Sequence, residues 1–289
     1  MPLHVQRSPE HVVTVGDVEL WVTAFGDHGQ PPVLLPSTSR LCWEDQFCDR
    51  LAGAGRFVVR YDIRDTGRST AYPTGSPGYR LRDLVSDLIG LMDAFELPRA
   101  HLVGFSVAGW ICQLAALDYR DRVSALTLIN TRPTSPGPAD PDLPEHSHRL
   151  TEFITNTPAP DWSDRAAVID YRVEQARIRA GTNGFDEQQA REQESRMVDR
   201  TTNMASSVFN FAYVEADRWR ERLGELTVPT LVAHGTDDPF FPYGNGQAMA
   251  REIPGATLLP LNGIGHELPA TTWDQLLAAM LALQPESVS

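Results

Sequence analysis

Three cysteines in 289 residues, Cys42, Cys48 and Cys112, are too few and too irregularly spaced for a disulfide framework or a zinc site. No apolar run approaches the roughly 18 residues of a membrane span. The opening stretch MPLHVQRSPEHV has no apolar core of the kind a secretory signal carries. Basic clusters are also missing. The net charge is −13, and an acidic surface repels phosphate backbones, which argues against a nucleic-acid partner. There is no internal repeat and no low-complexity tract. These absences point to a cytoplasmic protein with neither membrane nor nucleic acid as partner.

What is present is an ordinary globular balance, 42% hydrophobic and 22% charged residues. The length suits one large α/β domain carrying an insertion. Residues 11–24 read as two strands meeting at Gly16-Asp17, a type II′ hairpin turn. Val33-Leu34-Leu35, RFVVRYD (56–62), AHLVGFS (100–106) and ALTLIN (125–130) are short apolar runs without strict alternation. Such runs suit strands buried on both faces of a parallel sheet. Between them, Leu81, Leu84, Val85, Leu88, Leu91 and Met92 recur at helical spacing, and VAGWICQLAALDYRDR has high helix propensity. Alternating strand and helix predicts right-handed crossovers and a doubly wound sheet.

The alternation stops at TRPTSPGPADPDLP (131–144), a loop with five prolines. Residues 145–222 are helical in pattern, broken once near Gly181, Asn183 and Gly184. Strands return at 227–239 and 256–261, and a last helix spans 271–283 with Thr271 or Thr272 as N-cap. The expected organisation is a core of residues 1–132 and 223–289 with a helical cap insertion at 133–222.

Ser106 ends an apolar strand and opens a helix. That turn forces a strained backbone, and the small residues Gly104 and Ala108 relieve crowding around it. The helix start aims backbone N–H groups at a developing oxyanion, with Val107 N–H nearest. A plain helix cap is the competing role for this serine. Among eight histidines, His266 stands apart. It sits in the glycine-bearing loop NGIGHELP after the final strand, where a base can reach across the carboxyl edge of the sheet. His101 reads as a satisfied core histidine and His234 as structural. HGTDDPFFP follows the penultimate strand, so its aspartates lie at the same edge. Asp238 is preferred over Asp237 as the carboxylate that orients the base. An Asx turn is the alternative role for both.

The motifs GFSVAG (104–109), YDIRDTGRS (61–69), GTDDPFFP (235–242) and GIGHELP (263–269) resemble those of the α/β-hydrolase superfamily over nearly the whole chain. The chain order Ser106, Asp238, His266 is the order of that family's triad. The resemblance implies a mostly parallel eight-stranded sheet with helices on both faces. More narrowly, RYDIRDTGRST and GHELP look like the methylesterases that tailor anthracycline polyketides. Two departures stand out. The elbow reads Ala108-Gly109, where those enzymes tend to have the reverse order. The loop after the third strand, LLPSTSRLCW (34–43), has no glycine where the family carries His-Gly or Gly-Gly. By position, Ser39 N–H is the second oxyanion donor beside Val107.

The expected activity is hydrolysis of an apolar, polyketide-derived aromatic ester by a serine esterase without metal or organic cofactor. Two other readings stay open. One is non-hydrolytic chemistry (lyase, decarboxylation, rearrangement or cyclisation) on the same scaffold. The other is a non-catalytic ligand-binding protein. Thr38, Trp43, Phe209 and Tyr213 are the expected substrate contacts. The chain is expected to act on a small molecule as a monomer or homodimer.

Overall fold

A computed structural model describes residues 6–38, 42–134 and 136–283. Its centre is one eight-stranded sheet: β1 (His11–Val15), β2 (Val18–Phe25), β3 (Pro32–Ser37), β4 (Phe57–Asp62), β5 (Ala100–Phe105), β6 (Val123–Ile129), β7 (Thr230–Gly235) and β8 (Thr257–Leu261). The spatial order is β1-β2-β4-β3-β5-β6-β7-β8. β2 pairs antiparallel with β1 and β4, and all other neighbours are parallel. β1 and β2 meet at the two-residue turn Gly16-Asp17, as the hairpin signal predicts. β4 and β5 are buried at every position, while the edge strands β1 and β8 are largely open. Unbroken apolar runs therefore mark the strands that have helices on both sides.

Those helices are α1 (Asp45–Gly53), α2 (Leu81–Ala94), α3 (Val107–Asp118), α8 (Gly244–Glu252) and α9 (Trp273–Ala282). Phe47 and Leu51 of α1 share one core with Trp273, Leu276, Leu277 and Met280 of α9. Leu84, Leu88, Trp110, Ile111 and Met249, from α2, α3 and α8, fill the core on the opposite face. No described helix is long and apolar enough to cross a membrane.

Four helices lie between β6 and β7: α4 (His148–Asn156), α5 (Arg165–Arg179), α6 (Glu187–Arg200) and α7 (Met204–Phe209). The sequence pattern predicts one interruption there, and the structure has three. The extra breaks follow from side chains that capture the start of the next helix. Asp164 accepts from Ala166 N and Ala167 N, and Asn203 accepts from Ser206 N. The expected threonine cap on the last helix is not made. Thr272 already has helical dihedrals, and its hydroxyl donates instead to Pro269 O, closing a 3₁₀ turn ahead of α9.

His101 sits in β5 as a core histidine, its Nε2 sharing a 2.8 Å hydrogen bond with Thr127 Oγ1. Burial pushes its pKa down to about 3 from 6.5. The unfolded chain therefore takes up a proton between pH 6.5 and 3 that the folded chain refuses, so the stabilising effect of keeping this ring neutral is lost as pH falls through that window. Urea midpoints measured from pH 7 down to pH 4 are expected to fall less steeply in His101→Gln than in the unaltered protein.

Candidate active site

Three segments bring a hydroxyl, an imidazole and a carboxylate together at the carboxyl edge of the sheet. Ser106 occupies the single residue between β5 and α3 with φ 56° and ψ −126°. This left-handed backbone is costly for a residue with a Cβ, and it lifts the side chain out of the strand-to-helix turn. The turn closes so tightly that a Cβ on Gly104 would lie 2.5 Å from Ala108 O. A Cβ on Gly109 would lie 2.6 Å from the Thr131 side chain. Ala108 is fully buried. The order Ala108-Gly109 thus has a local cause: Thr131 occupies the space a side chain at 109 would need.

His266 Nε2 lies 2.9 Å from Ser106 Oγ, and His266 Nδ1 lies 2.8 Å from Asp238 Oδ2. A carboxylate only accepts, so Nδ1 carries the ring proton and donates to Asp238, which leaves Nε2 free to accept from the Ser106 hydroxyl. The other carboxylate oxygen, Oδ1, accepts from Phe240 N at 2.7 Å and Phe241 N at 2.9 Å. Asp238 therefore makes its Asx turn with one oxygen and orients the His266 imidazole with the other. Asp237 turns away, accepting from Thr182 Oγ1 and Thr182 N, and the hydroxyl's hydrogen bond above all holds its carboxyl below the usual range. All three side chains of the relay are at least nine-tenths buried. Phe240 stacks on the imidazole at 4.8 Å between centroids, with Phe105 at 5.0 Å and Phe241 at 5.6 Å. These rings keep water away from the relay and strengthen its hydrogen bonds.

Several neighbours were not legible as site residues. Asn130 ends β6 with φ 44° and is fully buried. Its Oδ1 accepts from Gly235 N at 2.7 Å, and its Nδ2 donates to Gly265 O at 2.8 Å. It thereby ties the strand before Asp238 to the loop that carries His266. The one sequence signal was an asparagine closing an apolar strand at the functional edge. His234 donates from Nε2 to Phe241 O at 2.6 Å, and burial holds its pKa down, so it supports the turn after Asp238 as a neutral ring.

The other expected residues scatter. Val107 is the first residue of α3, directly after Ser106, where helix N–H groups lack partners within the helix. Ser39 lies outside the described residues. Thr38 is half-buried at the end of β3 and borders a cleft of about 420 Å³ lined also by Gly67, Arg196, Met197 and Ser207. None of the three relay side chains lines that cleft. Trp43 is a correction: its ring is wholly enclosed against Phe47 and donates from Nε1 to Pro36 O, so it offers no face to a ligand. Tyr213 is 60% exposed. Its position after α7 puts the ring in solvent, which hydropathy alone does not reveal. Phe209 is half-buried and edge-on to Trp162, which in turn meets Tyr171. Tyr171 joins Phe153 and Phe240 in one apolar cluster, so these aromatics run from α7 to the ring that covers His266.

In the turn after β4, Asp65 stands where glycine is common in the resembling family. It adopts φ 63°, and its carboxylate accepts from Tyr79 Oη and Asn210 Nδ2, both at 2.8 Å. Those bonds offset the backbone strain. Arg64 pairs with Asp87 of α2 through two bonds of 2.7 and 2.8 Å and so ties the turn to that helix.

A family model described as the alpha/beta hydrolase fold matches residues 34–270. The chain is 30% identical to the rhodomycin D methylesterase DauP of Streptomyces sp. strain C5, covering 95% of this chain and 97% of that one. The rhodomycin D methylesterase DnrP of Streptomyces peucetius is also 30% identical, with the same coverage. Among solved structures, the enol-lactonase of Burkholderia xenovorans LB400 superposes with a TM-score of 0.73 at 23% identity, over 94% of this chain and 99% of that one. The esterase RhEst1 of Rhodococcus sp. ECU1013 gives 0.75 at 19% identity, over 97% and 100%. At those identities the two structures share the fold.

Replacing Asn130 by glycine keeps the backbone conformation and removes both side-chain bonds. A loss of about 1–3 kcal/mol is expected in urea unfolding. Faster amide exchange at Gly235 and in the loop 262–267 is expected to accompany it.

Proposed function

The chain belongs to the α/β-hydrolase family, and on that premise we propose that it is a serine esterase cleaving a carboxylic ester, of the methyl type, on an apolar aromatic polyketide. The observation that carries this reading is the continuous hydrogen-bonded series from Ser106 through His266 to Asp238, at 2.9 and 2.8 Å. A binding protein has no need to keep such a relay buried and in register. The ester class follows from the similarity to DauP and DnrP, whose names specify a methylesterase.

In the proposed mechanism the Ser106 hydroxyl attacks the ester carbonyl while its proton passes to His266 Nε2. Asp238 stabilises the imidazolium and keeps its Nδ1 proton in place. The oxyanion of the tetrahedral intermediate is held by Val107 N–H, with Ser39 N–H as second donor. His266 returns the proton to the departing alcohol, methanol for a methyl ester. Water, activated by the same nitrogen, then releases the acid and restores the serine. Residues 133–222 serve as the cap that shapes the acyl side of the site, with the series from Phe209 to Phe240 supplying apolar contact. The substrate is a small molecule, and no cofactor takes part.

Two measurements test the assignment. A fluorophosphonate is expected to label Ser106 in the unaltered protein, to label Ser106→Ala not at all, and to label His266→Ala much more slowly. Turnover of aromatic methyl esters retained by Ser106→Ala would sink the acyl-enzyme route. The second compares the two aspartates. Asp238→Asn is expected to lower kcat by about 10⁴-fold through the wrong tautomer of His266. Asp237→Asn is expected to leave kcat nearly unchanged.

A further inference from the structure

The segment that follows α5 is fastened to the loop bearing His266. Arg179 O accepts from His266 N at 2.7 Å, Gly181 N donates to Glu267 Oε1 at 3.1 Å, and Asn183 N donates to Gly263 O at 3.2 Å. Arg179 is the last residue of α5, so its backbone is held in register with the base. Its guanidinium carbon lies 5.2 Å from the centre of the Phe240 ring, and Phe240 is the ring stacked on the His266 imidazole.

The Arg179 side chain is half-buried. Its Nε is buried without a hydrogen-bond partner, and no carboxylate among the described residues pairs with it. Glu194, whose charge it feels, is already held by Arg172 Nε at 2.9 Å. Asp238, which it also feels, is engaged by His266. Burial pushes the Arg179 pKa down to about 10, so it stays charged at neutral pH. A cation kept partly from water without a paired carboxylate is unfavourable, and an apolar side chain there would avoid that cost. A guanidinium resting on an aromatic ring keeps its N–H edge free for a planar anion.

We propose that Arg179 is a specificity-determining residue that binds an ionised oxygen of the substrate, a carboxylate or phenolate carried on the aromatic body away from the scissile ester. The inference rests on the esterase reading of the same site, and it gives that reading a substrate class: aromatic esters bearing a second, acidic oxygen. The acidic oxygen would serve as the Arg179 counter-ion, and the contact between Arg179 O and His266 N would set its distance from the reacting carbonyl.

The test is a binding comparison in Ser106→Ala protein, which holds esters without turning them over. Calorimetry would compare the monomethyl and dimethyl esters of naphthalenedicarboxylic acid, and a nitro-substituted methyl hydroxynaphthoate with its methyl ether at a pH above that phenol's lowered pKa and well below that of Arg179. An affinity about 10- to 100-fold higher for the ionised member of at least one pair is expected. That preference is expected to vanish in Arg179→Met and to survive in part in Arg179→Lys. The first pair reads a carboxylate and the second a phenolate. Equal affinity within both pairs would overturn the proposal, and so would a preference that Arg179→Met leaves intact. If Arg179→Met does not fold, Arg179→Gln takes its place, and the comparison within each pair needs no variant at all. Binding that follows Arg179 while the unaltered protein hydrolyses none of these esters would instead count against the esterase reading alone.

Discussion

The imidazole of His266 reaches Ser106 because backbones from distant segments meet with no side chain between them. An added Cβ on Gly265 would lie 2.0 Å from Arg179 O, and one on Gly181 would lie 2.1 Å from Gly263 O. The loop of 262–267 is thereby pressed between the end of α5 and the sheet edge, and Asn130 holds it from the sheet side. A side chain at either glycine would push the loop outward and lengthen the 2.9 Å contact between His266 and Ser106. The geometry of the base is thus a packing consequence as much as a hydrogen-bonding one.

The electrostatics follow from this enclosure. Three aromatic rings surround the imidazole, so the Asp238 carboxylate acts on it through a medium poor in water. Two backbone N–H groups serve the Asp238 oxygen that does not face His266. Arg179 is half-buried beside the Phe240 ring, its Nε enclosed without a hydrogen-bond partner. The Phe240 ring thus touches both an imidazole bound to a satisfied anion and a guanidinium that pairs with no described carboxylate.

Departures from the family's usual motifs have local explanations. Thr131 fills the space beside residue 109, so the elbow's glycine falls there and alanine at 108 fits. Asp65 takes a backbone conformation that glycine adopts freely, and its carboxylate offsets the strain by binding Tyr79 and Asn210. Asn210 lies just after α7, so the same bond fastens the helical segment to the turn after β4.

By itself the sequence determined whatever depends on short-range pattern. Apolar runs located the buried strands, the 3.6-residue period located α2, and the glycine-flanked Ser106, Asp238 before proline and His266 in its loop identified the relay. Each of these is written within a few residues, since strand burial, helix faces and tight turns restrict side-chain type locally. Tertiary structure alone decided which distant groups meet. Asn130 reads as the end of one more strand until Gly235 and Gly265 are seen bound to it. Trp43 and Tyr213 look alike as aromatic candidates, yet one is walled into the core and the other faces solvent. Arg179 is one arginine among many until α5 sets it over Phe240 with its neighbouring carboxylates already taken. The reason is physical: burial and charge compensation are properties of surroundings assembled from segments far apart in the chain, and no local stretch records them.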